Sequence, residues 1–365
     1  MDNDRMFRLV EEYSAFGDHR TGTAPDLAAC GWFFEQLEAI GATCERRNVV
    51  FDRFDASARL TSAAGEPIAC EPVYYSALGS FETRDFAVAE VTSNAVGNPH
   101  ALDQALGGDP SVPVVVAIDS PADMVRMPNR PIADCTGPAA VVVPADRASE
   151  LDGAVLGFEA QLVPGICEAS SAVLGPADGR PVVVTTPLSG WYQCAGERGT
   201  GIAVALDLVE SLSADHRVTV VACSGHELAH TGLVVWLDDA SELGTVPAGP
   251  VIHLGASVAS LEPDGSGGRR FARRRAAHTI EALHLDDLVE PAGFVSTYDP
   301  RPWLGEGGTW RNYTQSPVLS FAGHSHWFHT PGDVPANSTS AEALGTASRA
   351  VRDAVHRFLE MVGED

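Results

Sequence analysis

Three clusters of polar residues hold the side chains that could do chemistry in this chain. The first is CAGERGTG (residues 194–201), a glycine-rich turn that holds one carboxylate, Glu197. An acidic residue near the start of a helix is favoured by the helix dipole, and a glycine-rich turn there can also cradle a phosphate. Because this turn lacks the Lys-Ser or Lys-Thr ending of a P-loop, we set the phosphate interpretation aside.

The second cluster, SGHELAHTG (residues 224–232), contains the string H-E-x-x-H. On a continuous helix, His226 and His230 would share one face and bind zinc, with Glu227 as the base. Here the string directly follows a predicted strand, so we expect His226 to lie in the turn before the helix. A structural role for His226 as a helix cap also stays open.

The third cluster, FAGHSHWFHTPGD (residues 321–333), holds His324, His326 and His329 within six residues. One lone histidine is more often structural than catalytic. Three histidines in a loop beyond a strand, together with two other polar clusters at strand ends, favour a metal or catalytic role for at least one. Cys194 in the first cluster is a further candidate nucleophile, although no partner stands at a recognisable spacing from it.

The elements that position these clusters follow from hydrophobic periodicity. Strand alternates with helix over most of the chain, which predicts a mainly parallel sheet covered by helices on both sides. The active sites of such sheets lie at the carboxyl ends of the strands, and all three clusters follow strands. The predicted helices cover 4–16, 27–40, 201–212, 226–239 and 344–358, and the predicted strands cover 44–54, 180–187, 216–223, 249–255 and 316–323.

The pattern of hydrophobic and turn-forming residues changes between residues 56 and 165. Short β-like runs are separated there by Gly, Pro, Asp and Asn clusters, which predicts a compact and mostly β insert. We therefore expect an α/β domain formed by residues 1–55 and 166–365, with residues 56–165 inserted into it. The arginine-rich stretch 262–275 is predicted to be a solvated loop whose five arginines could bind an anion.

Composition narrows the classes of partner. The chain has 24 basic and 49 acidic residues and a net charge of −25, which argues against binding to nucleic acids or anionic membranes. It has no apolar run long enough to span a bilayer. The seven cysteines include no C-x-x-C pair, as is usual for reduced thiols. Because the N-terminus also lacks the features of a signal peptide, we expect a cytoplasmic protein.

Placed in chain order, the clusters resemble the zinc-dependent aminopeptidase superfamily, which also includes glutamate carboxypeptidase, transferrin receptor and glutaminyl cyclase. HRTGT (residues 19–23) followed by an amphipathic helix looks like the opening of that family. The insert lies where many members carry a protease-associated domain. The resemblance thus implies a mainly parallel mixed sheet flanked by helices, with a mostly β, protease-associated-like lid domain at residues 56–165.

Active members of that family usually bind two zinc ions, and the resemblance locates their ligand positions in this chain. These positions are occupied here, in chain order, by Pro187, Glu197, His226 with Glu227, Gly255 and His329. Pro187 and Gly255 offer no side-chain donor, so one zinc should be absent. The resemblance implies that Glu197, Glu227 and His329 hold the other ion. Alternative ligands are His230, His253, His324 and His326.

We therefore expect a single-zinc hydrolase that acts on an amide or peptide-like small substrate. The zinc would polarise a carbonyl and lower the pKa of its water, while His226 would move the proton and Glu306 is a second acid–base candidate. Three alternatives stay open: a zinc-assisted cyclase or acyl transferase of the glutaminyl cyclase type, a non-catalytic descendant that binds a ligand or partner, and a metal-free enzyme that uses the histidine cluster. The substrate and the oligomeric state are not defined by the sequence.

Overall fold

The computed structural model describes residues 1–92, residue 96 and residues 99–363. Its helices are α1 (Asn3–Ala15), α2 (Ala24–Ala39), α3 (Pro99–Ala105), α4 (Thr200–Leu212), α5 (Thr231–Glu242), α6 (Asp286–Val289), α7 (Glu306–Tyr313), α8 (Pro335–Ser338) and α9 (Ala341–Gly363). Its strands are β1 (Thr43–Glu45), β2 (Asn48–Thr61), β3 (Pro67–Ile68), β4 (Glu71–Pro72), β5 (Gly79–Thr83), β6 (Ala87–Val91), β7 (Val114–Ile118), β8 (Ala140–Pro144), β9 (Val155–Leu174), β10 (Arg180–Pro187), β11 (His216–Cys223), β12 (Val251–Leu254), β13 (Leu261–Pro263), β14 (Arg269–Phe271), β15 (Arg274–His278), β16 (Phe294–Tyr298) and β17 (Val318–Gly323).

A mixed sheet of eleven strands forms the centre of the molecule. Its main order is β16-β15-β17-β12-β10-β11-β9-β2-β3, and β1 and β5 also pair with β9. The four central strands β17, β12, β10 and β11 are parallel to one another, so their carboxyl ends lie at the same edge. Strands β15 and β9 flank this group in antiparallel pairing. The loops that leave the four parallel strands carry all three polar clusters.

Helices cover both faces of this sheet, as the β-branched runs require. Val182 and Val184 of β10 pack into a core shared with α1, α2, α4 and α9, whereas Val183 packs with α5 and α7 on the opposite face. Successive side chains of a strand point to opposite faces, so a strand without polar residues is buried on both sides. The predicted α/β sheet flanked by helices is thereby confirmed.

A second, four-stranded sheet of order β4-β8-β7-β6 lies within residues 71–144. The valines of β7 and β8 belong to a hydrophobic cluster that also includes Leu156 and Phe158 of β9. Trp191, Leu228 and Phe328, from loops of the central sheet, belong to the same cluster. This part of the chain therefore packs directly onto the loops that carry the polar residues. The domain boundaries at residues 56 and 165, and the likeness to a protease-associated domain, stay predictions.

Two local expectations are wrong. The helix expected from His226 begins at Thr231, because Ala229 and His230 both have left-handed backbone angles after a short 3-10 turn. The stretch 262–275 is a hairpin followed by β15 and is solvated only in part. Arg274 is buried there, with its guanidinium 4.4 Å and 4.3 Å from the ring centres of Phe271 and Phe294. Burial lowers the pKa of Arg274 to about 9.

Within the described residues, none of the helices combines the length and the apolar character that crossing a bilayer requires.

The close approach of α4 to the central sheet depends on Gly201. A Cβ atom at Gly201 would lie 2.7 Å from the backbone oxygen of Gly255, next to β12. We expect Gly201→Ala to lower the free energy of unfolding by about 1–3 kcal/mol, as overpacking usually does. Urea denaturation measures this change.

The matched control is Gly31→Ala in α2, where a Cβ would meet no atom within 4 Å. That substitution should stabilise the protein by about 0.5–1 kcal/mol, since alanine is the better helix former. Equal effects of the two substitutions would contradict the packing argument.

Candidate functional site

A single helical turn, Ala195–Gly199, leads from the loop after β10 into α4 and places Glu197 and Arg198 inside the molecule. Neither side chain has exposed surface, and the Nη2 atom of Arg198 lies 2.7 Å from Oε1 of Glu197. Burial would raise the pKa of Glu197, but Arg198 and His329 offset it and hold that pKa at about 2. The two residues therefore form an ion pair within the protein interior.

Asp333 stabilises this turn through hydrogen bonds to its backbone. Its carboxylate accepts hydrogen bonds from the backbone amides of Gly196 (2.7 Å) and Glu197 (2.9 Å). Burial raises the pKa of Asp333 to about 6. Cys194 precedes the turn with a left-handed backbone, and burial raises the pKa of its thiol well above the ordinary value. A thiol that keeps its proton is a poor nucleophile, so the structure gives no support to Cys194 in that role.

His329 reaches the ion pair from the loop after β17. Its Nδ1 atom donates to the backbone oxygen of Met127 over 2.7 Å, because a carbonyl oxygen can only accept. Its Nε2 atom lies 3.2 Å from Oε1 of Glu197. The structure thus brings together two of the three residues to which the resemblance assigns the zinc.

Glu227, the third of those residues, has a different set of contacts. One carboxylate oxygen accepts from the backbone amide of Thr21 (2.6 Å), and the other accepts from the hydroxyl of Ser189 (2.8 Å). Ser189 in turn accepts from the backbone amides of Gly225 and His226. Glu227 therefore ties the HRTGT segment to the ends of β10 and β11, and burial raises its pKa.

His226 and Glu306 form a second buried pair beside the first. Nδ1 of His226 lies 3.1 Å from Oε1 of Glu306, the first residue of α7. Burial raises the pKa of Glu306 to about 8, although Arg198 opposes the rise. Burial, Arg198 and the neighbouring histidines hold the pKa of His226 well below its ordinary value of 6.5. Near neutral pH, both the imidazole and the carboxyl group are therefore uncharged.

Two further histidines surround this pair. Nδ1 of His230 contacts the hydroxyl of Thr309 over 2.8 Å, and Nδ1 of His253 contacts the hydroxyl of Ser320 over 2.8 Å. Burial lowers the pKa of His230 to about 4 and that of His253 to about 3. A Cβ at Gly255 would lie 3.0 Å from Nε2 of His253, so the imidazole fills the space of a side chain at position 255.

His324 and His326 are exposed residues of the loop after β17. Within the described residues, neither belongs to the group of possible metal ligands around Glu197, although the charge of Glu197 acts on the pKa of His324. His324 stacks on Phe328, and His326 packs edge-to-face against Trp327. His324 lines two clefts of about 460 and 440 Å³. The second of these clefts also contains Arg273 and Arg275.

The irregular segment around Arg126–Arg130, between β7 and β8, forms hydrogen bonds to two of the site loops. Arg126 donates to the backbone oxygens of Phe328 (2.6 Å) and His326 (2.9 Å). The backbone amide of Arg130 donates to the backbone oxygen of Glu227 over 3.0 Å. Together with the Met127 bond to His329, these contacts make the region between β6 and β8 part of the framework of the site.

The donor atoms do not fit the three-ligand zinc site that the resemblance implies. A catalytic zinc usually takes three protein ligands in addition to water. Among the described residues, the group of three possible ligands with atoms within 4.8 Å of one another is Cys194, Glu197 and Asp333, without His329 or Glu227. Asp333 already accepts two amides, and Cys194 retains its proton. Among the described residues, Glu197 and His329 have potential metal-ligand atoms that lie side by side without a hydrogen-bond partner, and Arg198 lies against Glu197.

Comparison with known proteins decides the fold. No family model and no curated protein matches the chain. Solved structures do match. A zinc aminopeptidase from Bacillus subtilis superposes with a TM-score of 0.71 at 15% identity, covering 98% of this chain and 95% of that chain. The chain has a zinc-aminopeptidase-like fold.

Two further solved structures agree with this result. Peptidase M28 precursor from Shewanella amazonensis SB2B has a TM-score of 0.67 at 14% identity, covering 96% of this chain and 92% of that chain. An aminopeptidase from Aneurinibacillus sp. strain AM-1 has a TM-score of 0.60 at 16% identity, with 98% and 93% covered. At such identities, the likeness establishes the zinc-aminopeptidase-like fold alone.

Sequence reasoning missed Arg198, the residue at the centre of this cluster of buried polar side chains. The sequence offered one signal, a basic residue directly after the carboxylate of the glycine-rich turn. Arginine is rarely buried unless it is paired, so a surface position was the natural expectation. Asp333 was also missed, although it belongs to the same HTPGD string as His329.

The raised pKa of Glu306 predicts how stability depends on pH. Between its ordinary pKa of 4.5 and about 8, the folded chain holds a proton that the unfolded chain releases. The wild type therefore loses stability as pH rises through this window. Glu306→Gln has no such proton, so its stability relative to wild type should rise with pH by at most about 1.4 kcal/mol per unit. Denaturant unfolding from pH 5 to 9 measures this difference.

Glu35→Gln, at an exposed position of α2, is the control for the same chemical change and should show no such trend. A stability difference for Glu306→Gln that stays constant with pH would contradict the assigned protonation state.

Proposed function

We propose that this chain is a hydrolase of an amide or peptide-like small substrate, with His226 as general base and Glu306 as the residue that orients it. The observation that carries the proposal is the contact of 3.1 Å between Nδ1 of His226 and Oε1 of Glu306. The contact lies at the carboxyl ends of parallel strands, where sheets of this class bind their substrates. Similarity to solved aminopeptidase structures supports the same class of reaction.

The chemistry follows from the two nitrogens of His226. When Nδ1 donates to Glu306, the lone pair on Nε2 is free to take a proton from water. The low pKa of His226 keeps the imidazole neutral, and therefore able to accept a proton, at neutral pH. As pH rises through about 8, Glu306 ionises, which favours the donating tautomer and stabilises the imidazolium that forms.

Access to His226 is narrow. The residue is 6% exposed, and Gly305 next to it is exposed. A Cβ at Gly305 would lie 3.5 Å from Cε1 of His226 and 3.9 Å from Cε1 of His253. The absent side chain at position 305 therefore leaves an opening above the imidazoles, through which a small substrate group can approach.

One of the similar structures is a zinc aminopeptidase. Within its described residues, no third Cys, Asp, Glu or His offers a ligand atom within 4.8 Å of both Glu197 and His329, so the proposal uses no chemistry of a bound metal.

A second candidate function is ligand binding without catalysis. The near-complete burial of Glu197, Arg198 and His329 favours it, since a reacting group normally needs access to solvent or substrate. A binding protein would retain ligand affinity in His226 variants and would release no product.

The proposed function predicts a strong effect of His226→Gln. With a panel of aminoacyl and N-acyl anilides as substrates, we expect kcat/KM to fall by about 10²–10⁴-fold, the usual contribution of a general base. The wild-type rate should rise with pH through about 8, and Glu306→Gln should flatten that rise because it cannot ionise.

His356→Gln, at an exposed position of α9, is the matched control and should retain full activity. If wild type and His226→Gln hydrolyse the panel equally, His226 is not the base. If neither shows activity and the panel still binds, the chain is a binding protein.

A further inference from the structure

We propose that the guanidinium of Arg198 is the resident cation of this site, so that the chain folds without a metal ion in the position next to Glu197 and His329.

The first argument is the pairing of charges. The side chains of Glu197 and Arg198 have no exposed surface, and Nη2 of Arg198 lies 2.7 Å from Oε1 of Glu197. A buried carboxylate or guanidinium is very unfavourable unless an opposite charge lies next to it. Within the described residues, Arg198 forms its only ion pair with Glu197. Each residue therefore supplies the counter-charge that the other requires.

The second argument is the rigidity of the arginine. Its Nε atom donates to the backbone oxygen of Ser189 over 2.8 Å, at the end of β10. A Cβ at Gly190 would lie 3.5 Å from Cγ and 3.6 Å from Nε of Arg198, so this loop packs closely on the side chain. The side chain is therefore held by a hydrogen bond at Nε and by close packing along its stem, which fixes the guanidinium beside Glu197.

The third argument is the permanence of its charge. An arginine guanidinium does not lose its proton in proteins, so Arg198 keeps a positive charge 2.7 Å from Oε1 of Glu197. Nε2 of His329 lies 3.2 Å from the same oxygen. A divalent ion bound by Glu197 and His329 would therefore be repelled by a fixed positive charge next to it.

Metal content and thermal stability of the full-length wild-type chain test the proposal directly. Elemental analysis after dialysis against zinc chloride, followed by metal-free buffer, should find less than about 0.1 zinc ion per chain. The melting temperature should be the same in EDTA and in zinc chloride, because a ligand that does not bind the folded state does not stabilise it. About one zinc per chain, or a melting temperature that falls in EDTA, would overturn the proposal.

Variants of the pair test the charge argument. Arg198→Met leaves Glu197 buried and unpaired, and it should lower the melting temperature by roughly 10 °C. Adding Glu197→Gln removes both charges and should recover most of that loss, because the desolvated charge is gone. If the double variant is no more stable than Arg198→Met, the buried pair is not what Arg198 supplies. Where the variants do not fold, the wild-type measurements still decide.

These readouts separate this proposal from the proposed function. An active enzyme that EDTA inactivates would preserve the hydrolase and exclude Arg198 as the resident cation. A metal-free chain without hydrolytic activity would do the reverse.

Discussion

The site is organised around one buried contact, in which the guanidinium of Arg198 lies against the carboxylate of Glu197 with no exposed surface on either side chain. Neither charge is stable there without the other, so the turn between β10 and α4 must hold both in place. Asp333 does so from the late loop, through the two amides at the start of that turn. The bonds from Asp333 thus join segments of the chain that are 136 and 137 residues apart in sequence.

From the ion pair, a network of hydrogen bonds runs to the other polar residues. Arg198 is bound to the backbone of Ser189, and the hydroxyl of Ser189 contacts the amides of Gly225 and His226 and the carboxylate of Glu227. A serine hydroxyl both donates and accepts, so one side chain can satisfy donors and an acceptor together. In a dry interior, each of these bonds is stronger than in water, and the network is correspondingly rigid.

The sequence was sufficient for most of the elements that build the central sheet. The valine-rich runs of β10 and β11 were predicted with their observed ends. A run of this length that is rich in β-branched residues is typical of a strand buried on both faces. Strand β9 was predicted only in part, as one short β-like run near the end of the proposed insert, and it continues past the boundary expected at residue 165. The structure keeps Pro164 in the strand, opposite Asp52 of β2. Pairing with a neighbouring strand overrode the local preference.

The site was predicted less completely. Glu197 and His329 were assigned to one ion by their order along the chain, and they do lie side by side. His226 and Glu306 were each named as acid–base candidates. Their contact joins residues 80 positions apart, and hydrophobic periodicity does not predict contacts between such distant residues. The spacing of H-E-x-x-H suggests one helix, yet left-handed angles at Ala229 and His230 interrupt it. Such angles and contacts depend on tertiary packing, which a single sequence does not display.

The length of β9 has a consequence for how the chain is synthesised and folds. This one strand pairs with β2 over fourteen residues and then continues along β11 in the central sheet. The contact between Arg46 and Glu168 closes a loop of 122 residues, which contains the entire four-stranded sheet. Closing so long a loop is slow and entropically unfavourable. A nascent chain therefore emerges with α1 and α2 still uncovered, and their apolar faces must wait for the ribosome to complete β9, β10 and β11 before they can be buried.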